Sequence, residues 1–151
     1  MTPVRLRPAR LEDARRIRQI IYQVQINPMG LDWQRFILAV DEQDRLIGCG
    51  QVKPHRDGSL ELASIAVLPD WRGQGIARQI IERLLADHQG TLFLTCRASL
   101  GSFYQKFGFR PLLFEEMPPY FKRLSRLAGV FGLLGPPHAG LLVMKRDGVS
   151  G

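Results

Sequence analysis

The residues best placed to do chemistry lie at 68–77, LPDWRGQGIA. An apolar run, Ala63 to Leu68, stops at Pro69. Then come Arg72, Gly73, Gln74 and Gly75, and Ile76 and Ala77 open a helical pattern. The first amides of a helix have no intrahelical acceptor and carry partial positive charge, so they can hold a phosphate. Glycines let the backbone approach closely and take positive φ, and the Arg72 guanidinium suits phosphate oxygens. RGQGIA therefore reads as a pyrophosphate cradle, set against a tight strand-to-helix turn that holds nothing. No Walker Lys-Ser/Thr pair follows the glycines, and the third glycine of a dinucleotide fingerprint is missing. His55, His88 and His138 are scattered, fit no triad or metal spacing, and read as surface residues. No metal is expected.

The elements that must position this turn follow from periodicity. PVRLR at 3–7 alternates as a half-buried strand would, and 11–25 reads as a helix with Ala14, Ile17, Ile21 and Val24 on one stripe. NPMGLDW breaks that pattern. RFILAV, RLIGCGQV and LELASIAV are three strands separated by the turn sequences DEQD and HRDG, an antiparallel meander. A helix over 74–88 would bury Ala77, Ile80, Ile81, Leu84 and Leu85. TLFLTC, FRPLLF and AGLLVMKR are strands, SLGSFYQKF is a short helix, and a proline-led helix starts at Pro118. This predicts an α/β fold in a single domain over 1–151: a mixed, mostly antiparallel sheet flanked by helices. An extra C-terminal helix, part of an insertion over 115–138, precedes the last strand.

The 151 residues suffice for one core without metal or disulfide. Cys49 and Cys96 form no disulfide framework and read as buried free thiols of a reducing compartment. The N-terminus lacks the apolar core of a signal peptide, so a cytoplasmic location is expected. A formal net charge of +7 favours an anionic partner without choosing one.

SIAVLPDWRGQGIARQIIERLL resembles the acetyl-coenzyme A segment of the GCN5-related N-acetyltransferases (GNAT), whose Arg/Gln-x-x-Gly-x-Gly/Ala pattern is matched by Arg72, Gly75 and Ala77. SFYQKFGFRPL resembles the family's later motif, an aromatic-Tyr pair ahead of Gly-Phe. The resemblance spans nearly the whole chain, in the family's element order. It implies acetyl-CoA as cosubstrate, its pyrophosphate on the amides of Arg72, Gly73, Gln74, Gly75, Ile76 and Ala77. Its pantetheine arm would lie along Ile65, Ala66 and Val67, and the Val67 amide would face the thioester carbonyl. Arg97 stands where the family often has an asparagine, seven residues before the tyrosine.

Acetyl transfer to an amine needs a base for the ammonium, an N–H donor for the oxyanion and an acid for the thiolate. The resemblance makes Tyr104 the acid, against an aromatic that only fills the core. It makes Glu61 the base, with a water chain as the family's alternative, against an exposed charge at a strand start. Strand alternation puts Glu61 on the face of Ala63, Ile65 and Val67, and burial there would raise its pKa. Arg78 and Lys106 would reach cofactor phosphates or lie on solvated faces.

Residues 127–144 hold no Asp, Glu, Lys or Arg, but GPPHAG interrupts them, so no membrane span is expected. Tyr120, Leu124, Leu127, Phe131 and Leu134 form one helical stripe: a cover for the sheet, a lid over the acceptor, a dimer contact or an interfacial helix. The resemblance places the acceptor between NPMGLDW and 115–138, both apolar with few acids, Glu115 and Glu116 among them, which disfavours polyamines and aminoglycosides. The expected function is acetyl-CoA-dependent acetylation of a primary amine on a small molecule, peptide or protein. A silent acyl-CoA sensor is the alternative. A nucleic-acid module is disfavoured because the basic residues are dispersed.

Overall fold

The computed structural model describes residues 3–130 and 140–149. Two compact units divide the chain: Met1–Lys53 with Leu62–His88, and Pro54–Glu61 with Gln89–Gly151.

In the first unit the predicted meander forms. Strands β1 (Arg5–Pro8), β2 (Phe36–Val40), β3 (Leu46–Pro54) and β4 (Leu60–Val67, which enters the second unit at its start) are neighbours in that order. β1–β2 and β2–β3 are antiparallel, and Ile47 is an extra residue between the pairs Ala39↔Gly48 and Val40↔Leu46. The helix expected over 11–25 is shorter: a 3-10 turn at Leu11–Asp13, then α1 (Ala14–Gln23). The reason is Asp13, whose carboxylate accepts from the Arg10 amide at 2.8 Å and takes two bonds from Arg7, at 2.8 and 3.1 Å. It thereby closes the first turn on itself. Ile17, Ile20 and Ile21 of α1 pack with Phe36, Leu38, Val40, Cys49 and Ala66.

Helix α2 (Ile76–Asp87) begins two residues later than expected because Gly75 is left-handed, φ 78°. It buries Ile76, Ile80, Ile81 and Leu84, while Ala77 and Leu85 are half-buried. It sits close on β3: a Cβ at Gly50 would lie 2.6 Å from Ile65 Cδ1 and 2.8 Å from Ile80 Cγ2.

The second unit holds β5 (Leu92–Arg97), α3 (Gly101–Gln105), β6 (Arg110–Pro111), α4 (Pro119–Val130) and β7 (Leu141–Arg146). β7 pairs antiparallel with both β5 and β6, and Glu61 at the start of β4 pairs in parallel with Phe93 of β5. The fold is thus α/β, a seven-stranded, mostly antiparallel sheet flanked by helices. FRPLLF forms only a two-residue strand: beyond Pro111 only the Leu112 amide still reaches β7, at Val143 O, and Leu113 turns to solvent. The buried face of α4 also departs from the expected stripe. Phe121, fully buried, packs on Phe93, Leu112 and Val143, with Tyr120 and Met117 at the edge, whereas Leu127 is exposed. The expected stripe runs on through Phe131 and Leu134, which lie outside the described residues, and passes beside Phe121. Lys122 and Arg126 stand over the exposed Phe114 ring. Both cysteines are free and buried.

Candidate active site

The glycine turn is built as its sequence suggests. β4 ends at Val67, a 3-10 turn covers Pro69–Trp71, and α2 starts at Ile76. Gly73 and Gly75 have φ 79° and 78°, and no described protein atom lies within 4 Å of where either Cβ would stand. Close packing therefore does not explain these glycines; the left-handed backbone does. The first helical bond is Gln79 N to Gly75 O, so the amides of Ile76, Ala77 and Arg78 precede the ladder. The Arg72 amide closes the preceding turn on Pro69 O, and its side-chain Nε donates to Val67 O at 3.1 Å. That bond ties the arginine to the end of β4. Arg78 and Lys106 are exposed.

Strand β4 does not alternate simply. Ser64 is left-handed, φ 60°, a conformation costing about 1–3 kcal/mol in a non-glycine residue. Ala63, Ser64 and Ile65 are all half-buried in sequence. The expectation that Glu61 shares a face with Ile65 and Val67 counted by twos across Ser64, and that count does not survive the interruption. Ser64 is supported by Gln51, which is fully buried and donates through Nε2 to Ser64 Oγ at 2.9 Å and Gly30 O at 3.1 Å. Gln51 thus ties the NPMGLDW loop to the strand. Its Oε1 has no partner among the described residues.

Glu61 is 5% exposed, so it is not a solvated strand start. His55 Nε2 lies 2.8 Å from its Oε1. The expectation of a surface histidine is wrong for His55: its side chain is 11% exposed and stacks on Tyr120, centroids 3.6 Å apart. Tyr120 lies 65 positions along the chain, so no local pattern could show this. His88 is half-buried and its Nδ1 lies 3.0 Å from Leu84 O, while His138 lies outside the described residues. The acids near α4 are also more than Glu115 and Glu116: Asp57 Oδ2 accepts from the Tyr120 amide at 3.0 Å, the role of a helix N-cap supplied from another segment.

Tyr104 lies on α3, half-buried, with the Phe103 ring edge-on at 5.0 Å. Burial, then the nearby Cys96 thiol, pushes its phenol up to about 12. It therefore holds its proton throughout the neutral range. Among the described residues no group of side chains could hold a metal, and no helix is long and apolar enough to cross a membrane.

Residues 32–111 match the family model for the acetyltransferase (GNAT) domain. No curated protein matches the sequence. Among solved structures, the fold is similar to N-acetylglutamate synthase from Neisseria gonorrhoeae complexed with coenzyme A and N-acetyl-glutamate. There the TM-score is 0.74 at 16% identity, over 99% of this chain and 36% of that one. The Mycobacterium tuberculosis protein Rv2747, in complex with CoA, gives 0.71 at 22% identity over 96% and 99%. A GNAT-family acetyltransferase from Staphylococcus aureus Mu50 gives 0.68 at 13% identity over 96% and 99%. The chain spans about a third of the length of the synthase it matches.

Proposed function

Because the chain belongs to the GNAT acetyltransferase family, whose domain model spans residues 32–111, we propose that it transfers an acetyl group from acetyl-CoA to a primary amine. The observation that carries this reading is the turn before α2: two left-handed glycines, no described protein atom within 4 Å of where their Cβ atoms would stand, and helix amides that precede the hydrogen-bond ladder. The amides of Gly73, Gln74, Gly75, Ile76 and Ala77, with Arg72 beside them, would hold the pyrophosphate. Backbone groups of Ile65, Ala66 and Val67 would take the pantetheine arm as an added strand, the peptide-like pairing that extended ligands make with a free edge.

In the chemical step, Glu61 accepts a proton from the acceptor's ammonium, which frees the nitrogen lone pair to attack the thioester carbon. The Val67 N–H faces the oxygen on which charge develops. As the C–S bond breaks, the nitrogen gives its second proton to solvent, and the Tyr104 phenol gives its own to the departing sulfur and is reprotonated from solvent. The products are the N-acetylated amine and coenzyme A. A cytoplasmic setting suits two free, buried thiols.

The test is a thermal shift with acetyl-CoA, with dephospho-CoA and a short DNA duplex as controls. At 100 times its dissociation constant a ligand adds about 2.7 kcal/mol. A shift with acetyl-CoA and none with DNA is expected; no shift at millimolar acetyl-CoA would reduce the glycine turn to a turn. L-glutamate and a lysine-containing peptide belong in the first acceptor panel, because a similar fold is complexed with N-acetyl-glutamate.

A further inference from the structure

Glu61 does not stand alone. His55 Nε2 sits 2.8 Å from Glu61 Oε1, and both side chains are shielded, 11% and 7% exposed. The imidazole lies flat on Tyr120, interplanar angle 17°, with Phe121 at its edge. Tyr120 is itself fixed, its amide bonded to Asp57 Oδ2, and Asp57 in turn accepts from the amide and hydroxyl of Ser59. The ring is thus held by aromatic contacts on face and edge and aimed at one carboxylate oxygen.

An ionised carboxylate only accepts hydrogen bonds. With Glu61 ionised, the contact therefore needs a proton on His55 Nε2. The bond is made to Oε1 and restrains the plane of the carboxylate. We propose that His55 is a positioning residue for Glu61: its Nε2–H orients the carboxylate that takes the proton from the acceptor amine. This rests on the reading of Glu61 as the base. The proton passes from the ammonium to Glu61 and on to solvent, and His55 keeps its own. A purely structural pin is not needed here, since the Asp57–Tyr120 bond already ties the first turn of α4 to the 54–61 segment.

Two measurements on the full chain test this. Side-chain ¹⁵N NMR at neutral pH needs no acceptor: a proton on His55 Nε2 is expected, and the Nδ1–H tautomer, with no proton to give Glu61, overturns the proposal. Coenzyme A release is then followed with the acceptor panel. His55→Phe keeps the stack and removes the donor; His55→Gln restores a donor. The first should lower kcat roughly ten- to hundredfold with KM for acetyl-CoA unchanged, and the second should recover most of it. If His55→Phe does not fold, as judged by its melt, His55→Asn is read in its place, its shorter amide falling short of Glu61. Adding the histidine change to Glu61→Gln should cost nothing more. A full additive loss, or a wild-type rate in His55→Phe beside a slow Glu61→Gln, overturns the proposal alone. A wild-type rate in Glu61→Gln overturns the reading of the base, and this proposal with it.

Discussion

Tyr104 shows what a single side chain contributes once its surroundings are known. Its place ahead of QKFGF was legible in the sequence; its proton affinity was not, because that comes from burial and from Cys96 on another element. Replacing it by phenylalanine removes the proposed proton donor and little volume. A fall in kcat of roughly 10²–10⁴ is expected, with the acetyl-CoA thermal shift retained. The sign of the pH effect follows from the raised pKa. Stability from the buried neutral phenol is complete below about 10, the value in the unfolded chain, and is lost as pH rises toward about 12. The wild-type rate profile should therefore show no alkaline limb from Tyr104 below about pH 11. His55 is the opposite case. Its type and position in HRDG suggested only a turn, and its partners arrive from positions 61 and 120.

At the level of elements, two junctions decide much of the first unit. Arg7 of β1 bridges Asp13 and Asp44, and only Asp44 is substantially exposed. The Arg7 hydrogen bond, working against burial, holds the Asp13 carboxyl below its ordinary value. Its contribution to stability is therefore present above about pH 4 and is lost as pH falls through the lower folded value. Asp13→Ala removes two of the buried guanidinium's bonds, leaves it on Asp44, and should cost about 1–3 kcal/mol, read from the urea midpoint. The second junction is Gly50 on β3, where α2 comes so near that an added methyl meets Ile65 and Ile80 below 3 Å. Gly50→Ala should cost about 1–3 kcal/mol by overpacking, and an unchanged urea midpoint would show that α2 yields freely. Neither closeness has a one-dimensional signal: a strand glycine reads only as weak strand propensity, and the tilt of a helix is not written in its periodicity.

For the chain as a whole, element order was readable because short apolar strand runs and one 3.6-period helix, set apart by turn sequences, follow one another from Phe36 to Arg97. Strand order was not. β7 lies between β5 and β6, a long-range pairing that leaves no trace in the intervening residues. The glycine turn was found because its chemistry is local; the left-handed Ser64 was missed because serine does not announce it. The sealed thiols have a practical consequence for the intact molecule. Burial pushes Cys49 up to about 12 and Cys96 up to about 11, so neither supplies thiolate at neutral pH. The native chain should titrate as thiol-free with a disulfide reagent and yield both sulfhydryls once unfolded. A cysteine introduced at exposed Arg78 would then be the sole address for a fluorophore, and its emission would report whatever comes to rest at the start of α2.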